Sequence, residues 1–231
     1  MHGVGQPTRA VLLDALGTLV TFDPPAPRLR AALRARLGVE VTEEAAAAAM
    51  KAEIAYYRAH LHEGRDAESL HDLRRRSAAV MEPVLGVNPG VDTLLAALRF
   101  RAFPDAAPAL RELRALGLRL VVVSNWDVSL HERLEETGIA ALVDGAVASA
   151  ELGHAKPDGA IFAHALELAG ADPAAALHAG DSPDADVAGA LAAGLRAVLV
   201  ARDGTSGAGA GVPVIASLAE LPRLCQYPQP G

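Results

Sequence analysis

A chain of 231 residues, 51% apolar but only 3% aromatic, has room for one large domain or a core with a smaller partner, built on an aliphatic interior. Its formal net charge of −7 argues against a general nucleic-acid binder, which would be basic. One cysteine, Cys225, excludes an internal disulfide framework or a cysteine metal cluster, and no apolar run has the length of a signal peptide or a membrane span.

The first element is the apolar run AVLL at 10–13, too short for a buried helix and ended by Asp14 in DALGT (14–18). From about 22 to 102 the pattern is helical. DPPAPRLRAALRARLG, TEEAAAAAMKAEIAYYRAHLHEG, AESLHDLRRRSAAVMEPVLG and VDTLLAALRF read as amphipathic helices with no strand among them. This stretch is nearly neutral, so the remainder of the chain carries the negative charge. Beyond Phe103-Pro104, short apolar runs alternate with helical segments: LRLVVV (118–123), GAVAS (145–149), ALHAG (176–180) and RAVLV (196–200). The intervening helices end at glycine, a common C-cap. DGTSGAGAG (203–211) reads as a surface loop before a last strand and helix in VPVIASLAELPRL. Strand followed by helix, repeated, predicts an α/β fold: a Rossmann-like, doubly wound parallel sheet. Residues 1–21 and 103–231 would form this core, and 22–102 an inserted all-helical cap.

In such sheets ligands bind beyond the carboxyl ends of the strands. Polar residues cluster at those ends: Asp14, Ser124-Asn125 and Gly180-Asp181-Ser182, with Lys156 in a loop before a helix. Asp14 can act as a nucleophile or a metal ligand. Ser124 can donate its hydroxyl to a bound anion, and Asn125 its amide or backbone N–H. Nineteen of the 21 basic residues are arginine, so Lys156 stands out as a compact ammonium where a planar fork would not fit. Asp181 and Asp186 offer oxygen ligands of the kind Mg²⁺ uses. Asp127 and Asp184 read as helix caps, and Trp126 is a candidate for the cleft wall.

Together, DALGT (14–18), VVVSN (121–125), KPDGAIF (156–162) and GDSPDADVAGALAAG (180–194) resemble the four motifs of the haloacid dehalogenase-like hydrolase superfamily. The match is to the branch with a helical cap between the first two motifs, and it covers residues 9–224. The resemblance implies Asp14 as nucleophile and, through its carboxylate, a Mg²⁺ ligand. It also implies a metal contact from the Leu16 carbonyl, phosphoryl binding by Ser124 and Lys156, and Mg²⁺ ligation by Asp181 and, directly or through water, by Asp186. A small phosphorylated metabolite is the implied substrate, in a cytoplasmic protein, monomeric or homodimeric, with no nucleic-acid or membrane partner.

Leu16 departs from the pattern. The family's phosphatases carry an aspartate there that protonates the leaving alkoxide, and losing a positioned acid–base costs on the order of 10² to 10⁴ in rate. Three answers stand. A cap histidine (His60, His62 or His71) or an easily expelled leaving group compensates in a phosphatase. The chain is a 2-haloacid dehalogenase, whose halide departs without a proton, although no cap arginine for a substrate carboxylate is evident. Or it binds a phosphorylated ligand or a partner with little turnover. Lys51 could in principle form a Schiff base, as in the phosphonate-cleaving branch, but AAAAAMKAEIAYYR reads as a helix with an exposed lysine.

Overall fold

The structure is a computed structural model that describes residues 6–202, 204 and 211–226. Among the described residues eight strands form: β1 (Ala10–Leu13), β2 (Val20–Phe22), β3 (Phe100–Ala102), β4 (Arg119–Ser124), β5 (Gly145–Ala148), β6 (Ala176–Gly180), β7 (Arg196–Val200) and β8 (Val214–Ile215). Six of them pair in the order β5-β4-β1-β6-β7-β8, every pair parallel. All the strands expected of the core are present. The expected 203–211 loop, apart from Gly204 and Gly211, lies outside the described residues.

Both faces of the sheet are covered, which is why its strands read as continuous apolar runs rather than alternating ones. Val11, Leu13, Leu120 and Val122 face the helix Ala106–Ala115 and the C-terminal helix Leu221–Gln226. Ala10, Leu12, Val121 and Val123 face Ile161 and Phe162 on the helix Gly159–Ala169. Parity along each strand thus decides which layer a side chain joins.

Between β2 and β3 come five helices: α1 (Pro25–Leu37), α2 (Glu43–His60), α3 (Ala67–Ala79), α4 (Glu82–Leu85) and α5 (Gly90–Ala97). Local chemistry sets their ends. Thr42 accepts from the Ala45 N–H at 3.2 Å to start α2, whose alanine run then propagates the helix at little entropic cost. Asp66 and Ser69 form a reciprocal capping box on α3. Leu29, Leu33, Met50, Met81 and Leu94 give the insertion an apolar core of its own.

One expectation is overturned. The stretch 22–102 is not free of strands, because β2 and β3 pair antiparallel with Phe22 opposite Phe100. The two rings meet edge to face, with centroids 6.1 Å apart. The chain therefore enters and leaves the insertion through one two-stranded ribbon. Among the described residues no helix is long and apolar enough to cross a membrane.

Candidate active site

β1 lies between β4 and β6, so three strand ends meet at the carboxyl edge of the sheet. Asp14 follows β1 directly, and its N–H extends the ladder to the Ala179 carbonyl at 2.9 Å. Ser124 closes β4 and donates its hydroxyl to Asp14 Oδ1 at 3.0 Å. Lys156 reaches in from the loop before helix Gly159–Ala169, its Nζ 2.6 Å from both Asp14 Oδ1 and Asp186 Oδ1. Among the described residues nothing donates to Asp14 Oδ2. One oxygen of that carboxylate is anchored and the other is free.

Asn125 has a different use from the one expected of its side chain. Its Oδ1 accepts the Lys156 N–H at 2.7 Å, and its Nδ2 donates to the Lys156 carbonyl at 2.9 Å. The amide is therefore committed to fixing the lysine loop, and any contact with an anion falls to the Asn125 backbone N–H. Asp186 is likewise well held. Its Oδ1 contacts His178 Nε2 at 2.9 Å as well as Lys156, and its Oδ2 accepts the Ser182 N–H at 2.9 Å. His178 is fully buried beneath the site, and its ring meets the Phe162 ring edge-on at 5.2 Å. It was legible only as a lone histidine inside the apolar run ALHAG.

Burial sets the electrostatics. Burial raises the Asp14 carboxyl pKa, and the ammonium of Lys156 only partly opposes this. Burial also disfavours charge on Lys156, but the adjacent Asp14 and Asp186 carboxylates outweigh it and hold its pKa above the ordinary value. For Asp186, burial is overcome by the His178 hydrogen bond and by Lys156, leaving its carboxyl far below the usual range. Asp181 is pushed up to about 6 by desolvation, then by repulsion from Asp14 and Asp186. Although exposed as a residue, Asp181 lays its carboxylate against Gly17, where an added Cβ would come 2.0 Å from Oδ2. Gly17 has φ +87°, in the left-handed region that favours glycine. Gly180 is needed for space too, since a Cβ there would lie 2.2 Å from Asp186 Cγ.

Asp14, Asp181 and Asp186 each bring an oxygen into one group whose members lie within 4.8 Å of one another. Three carboxylates against one ammonium leave the cluster short of positive charge, and an all-oxygen donor set suits a hard divalent cation such as Mg²⁺. The residues fit that ion. The Leu16 carbonyl also receives no hydrogen bond among the described residues.

Beside the turn that carries Asp14 lies a cavity of about 190 Å³ between the helical insertion and the core. Leu16 and Asn125 border it from the core, and apolar residues such as Phe22, Leu94, Phe100 and Trp126 form much of its wall. Asp127 caps the following turn by accepting the Ser129 N–H at 2.7 Å, and it also accepts the Tyr57 hydroxyl from α2 at 2.6 Å. After GDSP the cap is Ser182, which accepts the Ala185 N–H at 3.1 Å; Asp184, expected in that role, is solvent-exposed. His60, His62 and His71 do not border the cavity, and Lys51 is exposed on α2. Arg58 and Arg74 do border it, so the insertion supplies arginines that the sequence did not reveal. Glu53, also unforeseen, is buried in the same wall.

A parallel sheet with a buried aspartate directly after β1, a lysine shared between two carboxylates and a helical insertion over them defines a capped α/β hydrolase. A family model described as haloacid dehalogenase-like hydrolase matches residues 8–194, and the chain belongs to that family. A HAD phosphatase from Thermococcus onnurineus has the same fold at 24% identity, with 96% of this chain and 100% of that one covered and a TM-score of 0.68. A 2-haloacid dehalogenase from Pseudomonas syringae pv. Tomato is 26% identical over 94% of this chain and 97% of its own, with a TM-score of 0.63. An L-2-haloacid dehalogenase from Xanthobacter autotrophicus, with chloropropionic acid covalently bound, is 26% identical over 94% and 98%, with a TM-score of 0.68. No curated protein matches the chain. With phosphatases and dehalogenases both among its neighbours, the chain is a hydrolase of this family, and the bond it cleaves has to be argued from its own site.

Proposed function

We propose that the protein hydrolyses a small phosphate monoester with Mg²⁺, through an aspartyl-phosphate on Asp14. The observation that carries this reading is the group of Asp14, Asp181 and Asp186, with Lys156 held between Asp14 and Asp186, an anionic site that suits a divalent cation and a phosphoryl group together. Asp14, Asp181 and the Leu16 carbonyl would hold the ion, with Asp186 more remote because its oxygens are already engaged. Bound there, Mg²⁺ would offset charge on the phosphoryl oxygens.

The protein's own residues would do the rest. Ser124 and Lys156 fix Asp14 through one oxygen, which directs the other at phosphorus. Lys156 and the Ser124 hydroxyl also lie where the transferring group's oxygens would sit. Asn125 keeps the lysine loop in place. Mg²⁺-dependent release of p-nitrophenol from p-nitrophenyl phosphate, abolished by EDTA and by Asp14→Asn, is the expected result; no release with Mg²⁺ present refutes the proposal.

A second reading, 2-haloacid dehalogenation, is favoured by Leu16, since halide leaves unprotonated, and by Arg58 and Arg74 in the cavity wall, which could receive a substrate carboxylate. Against it stands the crowd of carboxylates at the site, which would repel such a substrate. Chloride release from 2-chloropropionate in EDTA would establish it.

A further inference from the structure

Six ionisable side chains border the cavity next to Leu16: Glu53, Tyr57, Arg58, Arg74, Asp127 and Arg133. Five are poorly suited to serving a leaving oxygen. The three arginines are donors with no acceptor atom to take a proton back. Asp127 already accepts from the Tyr57 hydroxyl and the Ser129 N–H. Tyr57 is held far above its ordinary pKa by burial and by Asp127.

Glu53 is different. It lies on α2, only 3% exposed, and has no hydrogen bond or ion pair among the described residues. Its carboxyl oxygens have no protein partner but are not among the fully enclosed polar atoms, and the side chain borders the space where a substrate's organic group would sit. Leu16 and Asn125, which border the same cavity, belong to the turns that carry Asp14 and Ser124. One cavity is therefore bordered both by the position of the missing second carboxylate and by an unpartnered one.

Resting on the phosphatase reading, the structure assigns Glu53 as the acid–base group for the leaving oxygen, in place of the carboxyl absent at Leu16, with a largely apolar alcohol portion of the substrate lying in the cavity. In the first step an Asp14 oxygen bonds to phosphorus, the P–O bond to the alcohol breaks, and the departing oxygen takes the Glu53 proton. In the second, water attacks the aspartyl-phosphate and gives a proton to the Glu53 carboxylate, releasing phosphate and restoring Asp14. Atoms and protons balance to ester plus water giving alcohol plus phosphate. Burial supports the role by pushing the Glu53 carboxyl up to about 7, where both forms are populated. The charged and titratable groups around it are Tyr57 and Arg58 on α2, Arg74 on α3, and Asp127 and Arg133 from the core; α1, α4 and α5 place none in the cavity wall.

The test compares hexyl phosphate, a poor leaving group, with p-nitrophenyl phosphate, a good one, in the wild-type protein, Glu53→Gln and Glu53→Asp. The quantity read is kcat/KM, which covers steps through alcohol release and so leaves out the shared hydrolysis of the phospho-enzyme. Glu53→Gln is expected to lower kcat/KM for hexyl phosphate by about 10²- to 10³-fold, and for the aryl ester by less than about tenfold. Glu53→Asp should recover part of the alkyl activity. The wild-type to Glu53→Gln ratio on hexyl phosphate should also decline as pH rises above about 7. Equal losses on both esters, or no loss, with an unchanged unfolding midpoint at pH 5, overturn the assignment while leaving the phosphatase reading intact. A wild-type protein inactive on both esters overturns that reading, and the assignment falls with it.

Discussion

Replacing Glu53 by glutamine tests its environment by a route independent of any substrate. The carboxyl's pKa rises from an ordinary 4.5 to about 7 through burial alone. At about 1.4 kcal/mol per pKa unit, that difference corresponds to about 3 kcal/mol. The sign follows from proton binding. Below pH 4.5 both folded and unfolded chains carry the proton, and the residue contributes no pH dependence. Between 4.5 and about 7 the unfolded chain ionises while the folded one stays protonated, so stability falls as pH rises; above about 7 the full penalty is in place. Glutamine keeps the shape and never ionises. Urea unfolding should therefore find Glu53→Gln close to wild type at pH 4.5 and more stable by about 3 kcal/mol at pH 8.5. The comparison cancels every other titrating group. A stability difference that is the same at both pH values would refute the claim that Glu53 is desolvated and unpartnered.

Three further outcomes follow from the site and the core. Lys156→Met leaves the buried Asp14 and Asp186 without their shared cation, and unfolding at pH 7 without Mg²⁺ should show a loss of about 3–5 kcal/mol. Gly17→Ala puts a Cβ against Asp181 at φ +87°. Isothermal titration should find weakened Mg²⁺ binding, while strain of about 1–2 kcal/mol appears in the unfolding midpoint. Phe162→Ala empties a fully buried site packed on His178 and should cost about 3–5 kcal/mol in urea unfolding.

What was legible in the sequence depended on how local its cause was. β1, β4, β6 and β7 were evident because strands covered on both faces are short apolar runs, and the polar residues that end them announced the site. Parallel pairing then brings Asp14, Ser124 and Gly180 together with no further specificity in the sequence. The β2–β3 ribbon was not legible. VTF and FRA are three residues each, too short to show a period, and they acquire strand character only by pairing across the whole insertion. Glu53 was hidden for a related reason. Charged residues occur all along α2, and only packing against α3 and the core decides which of them loses water. The cap after GDSP was expected of Asp184 and is made by Ser182, because the choice lay in loop geometry that composition does not encode.

The ribbon has a consequence for how such a protein could be remade. Phe22 and Phe100 face each other across an antiparallel pair, so the two ends of the helical insertion stand about 5 Å apart. Seen from the sheet, the five helices are a plug in a socket, whose removal leaves two neighbouring chain ends that a tight turn could join. A lineage could exchange one plug for another, changing what reaches Asp14 from above, while β1 and its aspartate keep their place in the sheet. The nucleophile and the groups brought to it from above then become separately replaceable parts of one chain.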